Sequence, residues 1–450
     1  MNQPNSLKQY FIRWIAWVIP GYGVSQILRL GSNLILTGLL MPEFFSLMAL
    51  VSFPFIALQS LFNIGLSPSI IQNKHGDEPN VLNTAWTMQV IHGVALWFFS
   101  LLIAWPMATF YEEPQLLWLI PVFGLGIVIY GFHSTSLLTL RRHMEFRKLT
   151  IFEVGVQAIS LTVMISWAWF NHSIWALVAA RLVSEIVGLV WSYRLIPGVR
   201  NRFAWDKAAA KSIFTFGKWI WMMTALVFLA EKAENLIWEK LVSSAMLGVY
   251  GVAFKLAEAL LFLGLIQGFN DAVIFPFLSR QAELPRERLC SKIMQLRWFL
   301  LVAGAIFLTL GIGLGDLLVS LLYNETYAQA AWILPILSLG FWPTILIATI
   351  NPVLFAIGQP RYAAFGQLLQ LIFVVIGLPV GFHLGGFVGA VIAVALSALP
   401  VYAAITYGSW RERLTLLVQD IRATLLLIGL ITVVLIGRFL CGWGLPGMSV

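Results

Sequence analysis

The chain is a succession of solidly apolar runs, most of them about twenty residues long or longer, divided by short breaks that carry the charges, the prolines and the amides. In the first half the runs predict helical spans at 14–39, 45–68, 81–109, 116–138, 151–170 and 174–195. A second series follows at 213–238, 246–275, 293–320, 330–356, 362–383 and 387–408. About twenty apolar residues in a helix cross a hydrocarbon core of about 30 Å, whereas a membrane strand needs only about ten and alternates in polarity. These runs do not alternate, so helices with internally satisfied backbones are expected. A further run at 423–442, ending four residues before Pro446, is a candidate thirteenth span. The polar residues before Leu7, followed by Lys8 and Arg13, lack a small-residue cleavage site, and an uncleaved first helix is expected rather than a signal peptide.

Composition sharpens this picture. Of the 450 residues, 60% are hydrophobic and only 11% charged, against roughly a quarter charged in an ordinary soluble domain. So few ionisable groups cannot clothe a water-soluble globule of this length, which excludes a soluble enzyme, a disordered chain and a nucleic-acid binder. The net charge of +8 has its explanation in placement. With the N-terminus on the cytoplasmic side, 21 of the 28 Lys and Arg fall before the first span or in alternate connections on that same side. Arg141, Arg142, Arg147 and Lys148 form one group, and Arg280, Arg286, Arg288, Lys292 and Arg297 another. The intervening connections, such as 111–115 and 171–173, are nearly free of them, a positive-inside pattern. It places Cys290 in the cytoplasm and Cys441 near the opposite face.

The pattern also repeats. The stretch 34–49 aligns with 236–251 at a constant offset of 202, each at the junction of the first two spans of a half. The fold class expected is therefore an all-α polytopic membrane protein of two six-helix bundles, parallel repeats related by a pseudo-two-fold along the membrane normal. The halves are expected at 1–200 and 201–410, with 411–450 as an extension.

Charges inside spans cost about 2.5–3.5 kcal/mol each at the bilayer centre, so those present are informative. Arg29 stands near the midplane of the first span on a polar stripe with Tyr22, Gln26 and Asn33, at spacings that share one helix face. Gln59 and Asn63 extend the polar lining expected of a wet cavity. Arg181 and Glu185 lie at i, i+4, and Lys255 and Glu258 at i, i+3, so each pair can close on its own helix. Arg29 has no acid within a turn and is expected to meet an anionic ligand or a carboxylate from another helix. Glu185, Glu258 and Glu234 are candidates for ion pairing or ion coupling. Glu231, Asp271, Glu153 and Asp316 read as solvated or capping residues near span ends.

Much chemistry is absent from the sequence. The six His show no HExxH or comparable metal spacing, the two Cys form no CxxC pair, and no phosphate-binding GxxxxGK[ST] loop occurs. Gly311, Gly313 and Gly315 lie within an apolar span, where no nucleotide could reach them. No metal, cofactor, catalytic residue or nucleic-acid partner is expected. A membrane polymerase or ligase would require a long external loop, and the longest external connection is about a dozen residues.

Two groups of motifs resemble a known family. Residues 39–49 (LLMPEFFSLMA) and 62–72 (FNIGLSPSIIQ) resemble the first helical hairpin of the bacterial polysaccharide, O-antigen-type flippases of the multidrug/oligosaccharidyl-lipid/polysaccharide exporter superfamily. Residues 245–256 (AMLGVYGVAFKL) and 275–280 (FPFLSR) are similar to that family's seventh-to-eighth-span junction and the end of its eighth span. The resemblance covers roughly residues 10–410, with Ser46 in place of a usual Gly and with Asn63 and Glu234 where Asp is frequent. It implies a non-enzymatic flippase of the bacterial inner membrane, moving an undecaprenyl-pyrophosphate-linked oligosaccharide to the periplasmic leaflet by alternating access. Membrane lipids and the polysaccharide polymerase machinery would be its other partners. Arg29, Lys255 and Arg181 would then be pyrophosphate-binding cations, guanidinium being well shaped for phosphate. The rival readings are a drug or cation antiporter, a peptidoglycan-precursor lipid flippase of the same superfamily, and a non-transporting structural subunit of an assembly complex.

Overall fold

The computed structural model describes residues 7–260, 263–442 and 444; the polar leader at 1–6 and Pro446 lie outside them. The described residues form helices and short turns. Two compact units, Met1–Trp221 and Met222–Val450, divide the chain.

The first unit contains α1 (Leu7–Leu39), α2 (Pro42–Leu61), α3 (Leu66–Gln72), α4 (Pro79–Phe110), α5 (Leu116–Gly131), α6 (Ser136–Arg142), α7 (Phe146–Phe170) and α8 (Trp175–Ser192). The helix α9 (Lys207–Leu241) runs through the boundary. Two expected single spans are broken. The 45–68 run ends α2 at Leu61 and restarts as α3 after Gly65, whose left-handed φ of 61° favours glycine; a Cβ there would also stand 2.8 Å from Ile220 Cβ and 3.2 Å from the Gly217 backbone. The 116–138 run bends by 62° between α5 and α6. Val51, Phe55, Leu96, Leu119, Ile120 and Val178 form the unit's main core.

Arg142, counted above among the cytoplasmic charges, is a structural staple. Its Nη1 donates to the carbonyls of Ile70 (2.6 Å), Ile71 (2.9 Å) and Asn73 (2.5 Å), supplying the cation that the C-terminal end of α3 favours. Its Nε reaches Asp77 at 3.0 Å, and His143 contacts the same carboxylate at 2.9 Å. Burial alone would raise the Asp77 pKa, but bonding to His143 and the adjacent Arg142 charge hold it below the usual value.

The second unit continues with α10 (Ser244–Leu260), α11 (Leu263–Phe269), a π-helical turn (Asn270–Ile274), α12 (Phe275–Ser279), α13 (Arg286–Leu322), α14 (Ala330–Ala356), α15 (Arg361–Leu396), α16 (Leu399–Arg411) and α17 (Leu417–Leu440). The repeat seen in sequence holds at the level of helix ends. α1 stops at Leu39 and α2 starts at Pro42; α9 stops at Leu241 and α10 starts at Ser244, both at the offset of 202.

Among the described residues nine helical stretches are long and apolar enough to cross a membrane, ten with the bent α5–α6 pair. α1 falls outside this set because its polar stripe dilutes its apolar character, and the 246–275 run because the described residues stop at 260 and resume at 263. One of the nine, Arg361–Arg411, is 51 residues long, enough for two crossings. The chain turns inside it at Gly385 and Gly386, the latter at φ 58° and ψ −143°, a conformation closed to residues with a Cβ. The two arms then meet closely. A Cβ on Gly389 would sit 2.1 Å from the Gly381 carbonyl oxygen.

α17 is held against α13 by two buried ion pairs. Arg297 and Asp420, each 2% exposed, approach to 2.5 Å. Arg297 also donates to Thr349 at 3.0 Å, and the Tyr402 hydroxyl donates to Asp420 at 2.9 Å. At the other end Arg438 grips Asp316 through two parallel bonds of 2.9 and 2.5 Å. This corrects two expectations: Arg297 is not a solvated loop charge, and Asp316 is neither solvated nor merely a cap. Between the pairs Leu301, Ala305, Leu308, Ala423 and Leu427 share a core with α14.

The two pairs lie 19 residues apart on α13 and 18 apart on α17, about 27–29 Å at helical rise, the thickness of a hydrocarbon core. Each helix carries one acid and one base in opposite order, so the helices run parallel. An antiparallel arrangement would oppose Arg297 to Arg438 and Asp316 to Asp420. Parallel spans require an odd number of crossings between them, which α14 and the two arms after Arg361 supply. The 423–442 run is therefore organised as a full-length span, its lipid-side residues Leu425, Ile428, Val433, Ile436 and Phe439 left exposed.

Two outcomes follow. Asp420→Ala, stranding Arg297, is expected to destabilise by about 3–5 kcal/mol, with much of the loss regained by the exchange Arg297→Asp with Asp420→Arg; unfolding in detergent measures both. Cys441 is exposed and Cys290 buried, so a membrane-impermeant maleimide should label Cys441 from the periplasmic side of spheroplasts and leave Cys290 unlabelled. Labelling of Cys441 only in inverted vesicles would reverse the orientation.

Candidate functional site

In the first unit, α1 packs on α7 through Gly21, which lies against Thr150, and Ser25, which bonds Gln157. This contact turns Tyr22, Arg29 and Asn33 outward: all three are exposed, with Gln26 half-buried between them. The Arg29 guanidinium donates to Gln26 Oε1, so the stripe is locally connected. Gln59 on α2 is exposed. Asn63 is exposed too, but its Oδ1 accepts from the Gly65 N–H at 2.9 Å, so it also closes the α2–α3 turn.

The i, i+4 pair on α8 forms as the spacing predicts, with Arg181 Nη2 at 2.9 Å from Glu185 Oε1. Sequence reading missed its third member. His133, in the break between α5 and α6, places Nε2 3.1 Å from the Glu185 carbonyl oxygen and 3.4 Å from its carboxylate. A signal for this contact exists one turn along α8: Gly188 leaves room for the imidazole, since a Cβ there would stand 2.8 Å from His133 Cε1. Glu185 and His133 are buried and Arg181 is half-buried. His133 and Glu185 line a polar cavity of about 340 Å³ with Gln89, Gln157, Ser160 and Ser184.

In the second unit Lys255 and Glu258 pair at 2.9 Å, but both side chains are largely exposed at 78% and 47%. Glu234 accepts a hydrogen bond from the Tyr250 hydroxyl at 2.9 Å, beside the fully buried Trp238. Glu231, Glu234 and Asp271 line a cavity of about 420 Å³, which no Lys, Arg or His shares among the described residues. Asp271 is thus a wall of this cavity, carried there by the π turn, and not simply a residue at a span end. Among the described residues no three His, Cys, Asp or Glu converge closely enough to hold a metal ion.

The arrangement is that of an all-helical, multi-pass membrane protein. It has exposed cations on apolar helices, polar cavities inside each unit, and the fold of the MATE transporters. Over 91% of its length the chain superposes on 98% of a crystal structure of a mutant of the Vibrio cholerae MATE transporter VcmN, with a TM-score of 0.69 at 13% identity. Residues 35–332 match the model of the polysaccharide biosynthesis protein family, and the chain belongs to that family. It is 24% identical over 230 residues to the succinoglycan biosynthesis transport protein ExoT of Rhizobium meliloti (strain 1021), covering 50% of this chain and 45% of that one. It is 20% identical over 314 residues to the teichuronic acid biosynthesis protein TuaB of Bacillus subtilis (strain 168), covering 68% and 63%. The matched stretches thus span about half to three-fifths of these relatives.

The two helix-local pairs should respond differently to loss of their acid. Glu258→Ala is expected to change stability by less than about 1 kcal/mol, because the pair is solvated. Glu185→Ala leaves the half-buried Arg181 and the buried His133 without their carboxylate and is expected to cost about 2–3 kcal/mol. Thermal unfolding of the two variants in the same detergent compares them directly.

Proposed function

We propose that the protein is a flippase that carries an undecaprenyl-pyrophosphate-linked oligosaccharide, the repeat unit of a bacterial polysaccharide, from the cytoplasmic to the periplasmic leaflet of the inner membrane. The family match over residues 35–332 carries this reading. Support comes from ExoT, named a succinoglycan biosynthesis transport protein, and TuaB, named for teichuronic acid biosynthesis. The N-terminus would be cytoplasmic, by the distribution of Lys and Arg.

The chemistry is that of carriage. A pyrophosphate must keep its negative charge compensated while it leaves the headgroup region, since an unpaired ion in hydrocarbon is costly. Arg29 and Lys255 supply exposed cations on otherwise apolar helices, and Arg181 a half-buried one. Guanidinium can bind two phosphate oxygens at once, and Lys acts as a mobile point charge. The polyprenyl tail stays in lipid throughout, so only the headgroup and glycan require a polar path. Alternating access would expose that path to one side at a time. The carboxylate-lined cavity of the second unit favours one other reading, a drug or cation antiporter of the same fold.

Arg29→Ala and Lys255→Ala are each expected to lower surface polysaccharide about tenfold at normal protein level, equivalent to about 1.4 kcal/mol of lost phosphate binding, and the double variant further. Arg29→Lys should retain most of the function. Unchanged polysaccharide in the double variant would sink the cationic mechanism, and sodium- or proton-driven export of organic cations from proteoliposomes would favour the antiporter.

A further inference from the structure

The cavity of the second unit has a chemical bias that cations for pyrophosphate do not explain. Its described walls carry three carboxylates, Glu231, Glu234 and Asp271, and five amides, Gln267, Asn270, Asn351, Gln367 and Gln370. The side-chain oxygens of three of these amides, Asn270 Oδ1, Asn351 Oδ1 and Gln367 Oε1, are buried without a hydrogen-bond partner. Asn270 is the best defined. It is 3% exposed, and its Nδ2 donates to the Ala348 carbonyl oxygen at 2.9 Å, which leaves Oδ1 as the unsatisfied atom. The turn that presents Asn270 and Asp271 is π-helical, a local departure from α-helix that recurs at functional sites because the inserted residue redirects neighbouring side chains.

Buried acceptors without donors are rare, and each calls for an occupant. The occupant here must supply several donors. It must not be anionic, since three carboxylates share the walls with no cationic side chain among the described lining residues. The volume of about 420 Å³ lies in the range of organic-ligand pockets and is more than ten times the roughly 30 Å³ that one water occupies. The carboxylates are spread along the walls and do not gather at one point. A hydroxyl-rich molecule meets these conditions better than a bare ion does.

We infer that this cavity is a glycan subsite, which takes a neutral or amino sugar of the carried oligosaccharide through its hydroxyl and N–H donors and rejects uronic acids. The inference rests on the flippase reading and adds to it a division of labour. Cationic side chains hold the pyrophosphate, and an acceptor-lined cavity in the second unit selects the sugar. Asn270, Asn351 and Gln367 accept from sugar hydroxyls, while Glu231, Glu234 and Asp271 set the sign of charge that is admitted.

The test uses the full chain in lipid nanodiscs and three short-chain probes: citronellyl pyrophosphate, its glucosyl derivative and its glucuronyl derivative. Titration calorimetry should show the glucosyl lipid binding about tenfold more tightly than the bare lipid, one decade being a modest set of hydrogen bonds, and the glucuronyl lipid gaining nothing. Asn270→Ala, and independently Asn351→Ala with Gln367→Ala, should remove the glucosyl gain and leave the bare lipid's affinity unchanged. Arg29→Ala should weaken all three probes alike. Methyl glucoside, methyl galactoside and methyl N-acetylglucosaminide, added without any lipid, should raise the melting temperature of the parent protein but not of the Asn351→Ala, Gln367→Ala variant. Equal affinity for glucosyl and bare lipid, together with no stabilisation by any methyl glycoside, overturns the subsite. Stabilisation by sodium in place of choline, lost on Asn270→Ala and unaccompanied by any sugar effect, overturns it in favour of a cation site. Failure of the bare lipid to bind while methyl glycosides still stabilise would count against the pyrophosphate-lipid reading and uphold the sugar cavity.

Discussion

In a helical membrane protein a polar group that leaves water must find its partner within the chain, and the parallel clamp between α13 and α17 shows how strongly that requirement organises the second unit. Two pairs, Arg297–Asp420 and Asp316–Arg438, bracket about one hydrocarbon thickness of apolar contact. Because acid and base alternate between the helices, only one direction and one register satisfy all four charges. That direction requires an odd number of crossings between the two helices, which the glycine-hinged return inside α15 brings to three. An ion pair in low dielectric is poor evidence of net stabilisation over an apolar contact, but it is costly to break. Its effect here is on arrangement: it selects among packings that apolar side chains alone would leave nearly equivalent.

The same requirement separates charges consumed by the packing of the chain from charges that are not. Arg142 is occupied by backbone carbonyls and the Asp77 carboxylate, and Arg297 by Asp420, Thr349 and Gln419. Arg29 instead bonds an amide on its own helix, and Lys255 a solvated glutamate, so neither is locked into the packing of its unit. The acceptor-lined cavity is the complementary case, with three amide oxygens on its walls buried and unsatisfied. The proposed flippase function requires both kinds of surface, one for an anionic headgroup and one for a glycan rich in hydroxyl donors.

Much of the fold was legible in the sequence. The apolar runs and the offset of 202 between the halves survive in the structure, the latter to the residue at the ends of α1 and α9. The helix-local pairs Arg181–Glu185 and Lys255–Glu258 were legible for the same reason, since a period of 3.6 residues fixes which side chains share a face. The breaks at Gly65 and at the α5–α6 bend were not, because a continuous apolar run conceals the point where the backbone changes direction.

Sequence by itself determined the class of molecule, its helical elements, their expected orientation and the partners that lie within one turn of each other. These depend on local periodicity and on the uniform energetics of transfer into lipid. Tertiary structure alone decided that Arg297 and Asp316 are internal, that His133 joins Glu185, and that Asp271 borders a cavity. Those partners are separated by tens to more than a hundred residues, and their meeting depends on which helices pack together and in which register, a property that no single helix carries.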